Sequence, residues 1–474
     1  MKAFIRTLAV ALAAVLALGT PSPAQANLDE FLSGLSLQKT DWLILTSEYG
    51  RDGQHSQLSL QPGRAAEGEK RGEWVQCSSF DDSKCQGADA LKRITANPIL
   101  PACSVSGSDV CLESVKFGKV GADMFSATYV GANPHAQDFP AKESVNLFEG
   151  SGLPLYENQT PVEIASTTKF AVMVKPESFW DFKANKFRIE RLQAMVIPYK
   201  LEPRSSVHLG CSFTVGDQCA IPQDYAPDTR VEIQFRIPNT VGGWFSGRMK
   251  APNIAISKFN SKVNTVTISA EPVEVAALGI VRKDSELSTK EKTWNENHGA
   301  WSTGVAKATG ANPWQEDVFP FIDYYRPLVN DTSIGTNRVW NFMSIGSGSG
   351  SSCLADKSKV LGIVTTNALG YAGESPAYKN GFLDYKVAGL HYLPGGKDLV
   401  LGSYDLVMRS DTARCLYGFS KAPLSATVSV TGGTGEKNVA TTVVSEKNGW
   451  LKMAAYGFTF SKKTIKVKIT KKKK

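Results

Sequence analysis

Histidine is scarce, with five in 474 residues. That leaves few candidates for imidazole acid–base work or metal ligation. His135 follows Asn133-Pro134, which reads as a turn, and His391 reads as a face residue of a strand. No EF-hand loop, P-loop, H-E-x-x-H or dinucleotide-binding fingerprint occurs, so no cofactor and no metal is expected. A G-x-S-x-G elbow is absent. Ser166-Thr167-Thr168-Lys169 matches S-x-x-K, but Phe170–Val174 after it reads as a strand where that motif needs a helix. Its companions S-D-N and K-T-G are missing as well. After the first two dozen residues no apolar run is long enough for a transmembrane helix.

What is present describes a folded, exported chain. Hydrophobic residues make up 42% and charged residues 21%, which excludes a disordered polymer. The 41 glycines follow no G-X-Y period, which excludes collagen. Residues 1–26 read as a signal peptide. Lys2 and Arg6 form its basic end, Leu8–Leu18 its apolar run, and Gly19, Pro21 and Pro23 break it. Ala24-Gln25-Ala26 is an A-x-A site, placing cleavage between Ala26 and Asn27. The expected location is therefore secreted or extracellular, with cell-surface association open.

The formal charge of +8 suggests an anionic partner such as nucleic acid. Its distribution argues otherwise. Without Lys2 and Arg6 the chain has 51 bases against 45 acids. Eight lysines fall in 462–474, and without them 43 bases face 45 acids. The body is near neutral, and nucleic acid is not an expected partner. Lys466 and Lys468 alternate with Ile465, Val467 and Ile469, so they should face solvent on a last strand and discourage edge pairing. Residues 471–474 form a basic tail.

The eight cysteines fit export. Cys77/Cys85, Cys103/Cys111 and Cys211/Cys219 share C-x7-C spacing, which leaves Cys353 and Cys415. We expect three local staples and one long closure. Zinc sites prefer closer spacing, so metal is disfavoured. By loop entropy, a loop of about nine residues gains about 2.6 kcal/mol and one of about 63 gains about 4.3 kcal/mol.

Short alternating runs separated by Gly and Pro predict a mainly β chain of antiparallel β-sandwich-like domains. Residues 27–283 read as a β-rich region of one or two domains. Residues 284–352 read as an aromatic-rich connector with a Gly/Ser loop and short helices near 290–297 and 316–325. Residues 353–470 read as a C-terminal sandwich of about eight strands, one of them over Ala413–Phe419. Asn448-Gly449 between two alternating runs is a strong hairpin signal.

Asp405–Asp411, Ala413–Phe419, Ala426–Val430, Gly449–Lys452, Gly457–Ser461 and Ile465–Lys468 together resemble C-terminal segments of uncharacterised secreted proteins from Gram-positive bacteria of actinobacterial type. The resemblance covers the last quarter of the chain. It implies secretion and a β-rich module, and it carries no catalytic residues.

The best polar cluster is Glu296 and His298, between Trp294 and Trp301, with Asp323 further on and Trp314 nearby. Two carboxylates beside aromatic platforms are what a glycosidase uses, and also what a sugar-binding site uses, but the stronger reading is structural: the aromatics pack domains together and the acids beside them are solvated. Trp244, after Gly242-Gly243, either stands on a loop tip as a further aromatic candidate or opens a buried strand, and packing is the favoured reading. The reading is a non-catalytic secreted or cell-surface protein with a binding or structural role at the envelope, its partner a cell-wall polymer or carbohydrate. The alternative is a secreted hydrolase of the same material, with Glu296, His298 or Asp323 at its centre.

Overall fold

The computed structural model describes residues 34–46, 48, 55–60, 75–86, 94–133, 138–203, 211–297, 301–302, 306–345, 351–356, 358–418, 424–432, 437–438, 441–460 and 463–471. The expected signal segment with its Ala26/Asn27 junction, His298 and Lys472–Lys474 lie outside them.

The chain is mainly β, and one long mixed sheet is its spine. Through its middle, neighbouring strands run Trp450–Thr459, Leu401–Arg409, Val360–Thr366, Gly243–Arg248, Gly335–Ile345, Lys186–Pro203 and Lys169–Asp181. The sequence alternation leads one to expect antiparallel pairing throughout. Most pairs are antiparallel, but Gly243–Arg248 meets Val360–Thr366 in parallel, as does Asp41–Leu45 with Ala306–Thr309. Parallel neighbours need long crossovers, which period alone does not reveal.

A five-stranded sheet packs on one face of the spine. Its strand Thr229–Pro238 alternates strictly, so Val231, Ile233, Phe235 and Ile237 enter one core while Arg230 and Glu232 stay at the surface. From the spine, Val172, Val196, Phe245 and Phe342 meet them. A six-stranded sheet packs on the other side, where Tyr385, Val430, Ile465 and Val467 meet Trp244, Leu406 and Met453. The shared strands are therefore buried on both faces, and Gly243–Arg248 and Val360–Thr366 are buried at every position. Trp244 is 0% exposed. It sits inside a strand rather than on a loop tip, and its ring faces the C-terminal core.

The 284–352 stretch holds the two expected helices, Thr289–Asn297 and Val318–Tyr325. Pro320 is tolerated because it lies in the first helical turn, whose N–H groups have no intrahelical partner. The helices cover a four-stranded sheet built around Asp41–Leu45, with Trp42, Ile44, Phe321, Ile322 and Tyr325 in the core. The same stretch also supplies Gly335–Ile345 to the middle of the spine.

All four expected disulfides form: Cys77–Cys85, Cys103–Cys111, Cys211–Cys219 and Cys353–Cys415. The Asn448-Gly449 turn has φ of 52° and 78° and joins Thr441–Lys447 to Trp450–Thr459, as a two-residue hairpin requires. Two expectations fail in this half. The strand expected over Ala413–Phe419 is not found in its described part, Ala413–Gly418. Ser410–Tyr417 is a helix that ends at Gly418 with φ 69°, and Cys415 lies in it. The glycine takes the left-handed stop, and tertiary packing overrides the alternation. The last strand, Lys463–Lys471, is not an edge. It pairs with Phe382–Ala388 on one side and Leu424–Gly432 on the other, so its lysines guard no open edge, and Lys471 belongs to the strand rather than to the tail.

Candidate functional site

A groove of about 1450 Å³ opens on the N-terminal side. Five turns form its rim: 108–110, 141–148, 181–190, 238–242 and 260–263, with Ser344 of the spine contributing to the lining.

Each turn is held by local chemistry. The Cys103–Cys111 disulfide closes the first, and Asp109 Oδ2 accepts from Asn260 Nδ2 at 2.9 Å, tying it to the last. Asn260 Oδ1 also accepts the backbone N–H groups of Lys262 and Val263 at 2.8 Å, an Asx-type turn. In the second turn Asn146 takes φ 57°, a left-handed position that asparagine tolerates. The third turn is the tip of the long hairpin between Lys169–Asp181 and Lys186–Pro203. There Asp181 Oδ1 accepts from Lys183 N at 2.9 Å and Ala184 N at 3.1 Å, and these backbone N–H groups hold its carboxyl below the usual range. In the fourth, Asn239 Nδ2 donates to Ser261 O at 2.9 Å.

The lining mixes amides and hydroxyls with an apolar floor. Asn146, Ser144, Asn239 and Thr240 are exposed around the rim, with half-buried Phe148 and Val241 beneath. Three of its four carboxylates are already engaged, Asp109 with Asn260, Asp181 with its turn and Glu190 with Arg188 at 2.9 Å, while Glu143 is exposed at the rim. A general acid needs a carboxyl pushed up toward neutrality. Among the described residues the carboxyls pushed up by burial are Asp138, Asp224 and Asp405, and none of them lines the groove. The groove suits hydrogen-bonded recognition better than proton transfer.

The residues singled out from sequence lie elsewhere. Glu296 is near the end of its helix, exposed, and pairs with Lys307 at 3.4 Å. Asp323 is an exposed residue of the helix Val318–Tyr325. Between the helices the aromatics pack on one another. Trp294 stacks on Phe321 with centroids 5.6 Å apart, and Tyr325 Oη donates to Asn295 Oδ1 at 2.8 Å. Trp301 belongs to the short strand Trp301–Ser302, paired with Ala308. Trp314 is half-buried against the C-terminal core. None of these residues lines the groove. The groove was hard to find from sequence because its signal is a set of ordinary turns: Ser108-Asp109, Asn146, Asn239-Thr240 and Asn260-Ser261.

Comparison of the chain with protein-family models, with curated proteins and with solved structures finds no match.

Proposed function

We propose that this is a non-catalytic, secreted binding protein of the bacterial envelope, and that the groove holds an extended, uncharged polar polymer of the carbohydrate class. The observation that carries this reading is the groove itself. It is larger in volume than a small-molecule pocket, rimmed by amides and hydroxyls, and floored by Phe148. Acidic and basic side chains are close to balance around it, so it offers no net field to an ionic ligand. Support for export comes from four disulfides, which persist in oxidising compartments, and from the signal segment. No helix among the described residues is long and apolar enough to cross a membrane.

Calorimetric titration with chitin oligosaccharides and other uncharged oligosaccharides tests it. Saturable binding to one of them should weaken at least about tenfold, roughly 1.4 kcal/mol, in Asn239→Ala/Phe148→Ala, with the melting transition retained. Absence of saturable binding to every oligosaccharide, or equal binding by the variant, overturns the reading.

A further inference from the structure

A second surface, separate from the groove, lies on the outer face of the six-stranded sheet. Strand alternation sends Leu383, Tyr385, Val387, Ile465, Val467 and Ile469 into the core. It leaves Phe382, Asp384 and Lys386 of one strand beside Thr464, Lys466 and Lys468 of the next. The register sets Lys466 opposite Asp384 and Thr464 opposite Lys386, and Lys379 of the neighbouring strand opposite Phe382. Lys379, Lys386 and Lys468 are exposed and Lys466 is half-buried. The ammonium groups of Lys466 and Lys468 stand 5.8 and 5.5 Å from the centre of the Phe382 ring. Among the described residues none of these four lysines forms an ion pair with a carboxylate.

Same-face residues of one strand are about 6.7 Å apart and adjacent strands about 4.8 Å, so four cations share a flat patch with one acid, Asp384. Lysines 472–474 follow directly in the sequence. Charge on this face is thus concentrated in a molecule whose remaining body is near neutral. Among the described residues the only large apolar side chain on this face is Phe382, half-buried beneath the ammonium groups of Lys466 and Lys468. The exposed ones near the end of the chain, Leu399 and Leu401, lie on another sheet and its approach. Without an apolar anchor a bilayer is a poor partner, whereas a linear polyanion can lie along a flat row of ammonium groups.

We infer that Lys379, Lys386, Lys466 and Lys468 form a docking face for a linear phosphodiester polymer of the polyol-phosphate type. It works alongside the groove and does not depend on it.

The probe is synthetic poly(glycerol phosphate), titrated into the full mature chain at 50 and 200 mM salt. The wild type should bind, more tightly at low salt. Lys379→Gln/Lys386→Gln/Lys466→Gln/Lys468→Gln should lose at least about tenfold in affinity, and its log–log salt slope should shrink by roughly 2–3, at about 0.7 per neutralised phosphate. Asp384→Asn should bind a few-fold more tightly, a gain that a misfolded variant would not give. Truncation of 472–474 should cost less than the quadruple change. Wild-type binding by the quadruple variant, complete loss on truncation alone, tighter binding to duplex DNA, or binding to anionic phosphatidylglycerol vesicles without binding to the polymer would each overturn the inference. Oligosaccharide titration of the quadruple variant should remain unchanged, so the two sites fail separately.

Discussion

The two halves share one sheet but are stapled in opposite ways. On the N-terminal side three disulfides each span eight positions, and one of them, Cys103–Cys111, closes a turn on the groove rim. On the C-terminal side a single bridge spans 62 positions and ties the turn Ser352–Leu354 to the helix Ser410–Tyr417. Short bridges order loops and long ones constrain the unfolded chain, so Cys103–Cys111 holds a turn of the groove, the other two hold local loops, and Cys353–Cys415 serves the topology. The surfaces differ in step: turns assemble a concave site on one side, and strand register lays out a flat cationic face on the other.

Between the halves sits Arg248, with 0% exposure. Its Nε and one terminal nitrogen donate to Glu48 at 3.0 and 2.9 Å. The carbonyls of Thr366, Ala368 and Leu369 accept its remaining N–H groups, and Tyr371 lies against it. The guanidinium thus joins the N-terminal segment, the shared sheet and the approach to the six-stranded sheet. Arg248→Met should cost about 3–5 kcal/mol, because it strands a buried carboxylate and three carbonyls. Urea unfolding followed by near-UV and far-UV signals checks this. If the halves are one cooperative unit, both signals shift together, whereas separate transitions would break the picture of a shared sheet.

Replacing Cys353 and Cys415 with serine should cost about 4 kcal/mol, against about 2.6 kcal/mol for Cys103 and Cys111. The order should reverse for oligosaccharide affinity, where only loss of the rim disulfide matters. Paired unfolding and titration curves decide it.

A smaller effect comes from Asp405, which is buried where the chain crosses from the spine into the five-stranded sheet. Its Oδ2 accepts from Ala251 N at 3.1 Å, a residue with φ 51°, and its Oδ1 accepts from Tyr456 Oη at 2.6 Å. Burial pushes it up to about 6, against the attraction of Lys452 at 3.8 Å and of Lys250. A carboxyl raised on folding binds its proton more tightly in the native state. Its contribution is therefore present below pH 4 and lost as pH rises from about 4 to 6. Asp224, also raised to about 6 by burial, acts in the same direction. Asp181 and Asp284, held low by hydrogen bonds, act in the acid window below about pH 4. Asp405→Asn should flatten the fall between pH 4.5 and 6.5 by on the order of 1–3 kcal/mol, measured as urea midpoints at both pH values. An unchanged slope would show that Asp405 does not titrate there.

The smallest expected effect is at Glu296 and Asp323. Glu296→Gln/Asp323→Asn should leave oligosaccharide binding unchanged and stability within about 0.5 kcal/mol, since both are surface carboxylates. Release of reducing ends by the wild type, lost in this variant, would return the hydrolase reading.

Much of this fold is legible in the residues. Strict alternation from Val231 to Ile237 and from Ile465 to Ile469 marks one-faced strands, because side chains alternate with period two. Equal C-x7-C spacings identify the local bridges, since a short loop closes most readily on itself. The Asn-Gly hairpin follows from the backbone angles it needs. At Trp244 that reading leaves loop tip and buried strand both open, with packing favoured, and at Ser410–Tyr417 it stops. A strand buried on both faces loses its alternation, and an eight-residue segment with mixed period takes the form its neighbours pack best. The candidate site divides in the same way. The basic strand near the end of the chain is visible in the sequence, because charge and period are local properties. That it lies inside a sheet, and that Lys379 and Lys386 join it, depends on strand order. The groove is wholly a product of tertiary structure: five turns separated by up to about 150 residues meet only because the five-stranded sheet folds back onto the shared one, and no local pattern encodes that meeting.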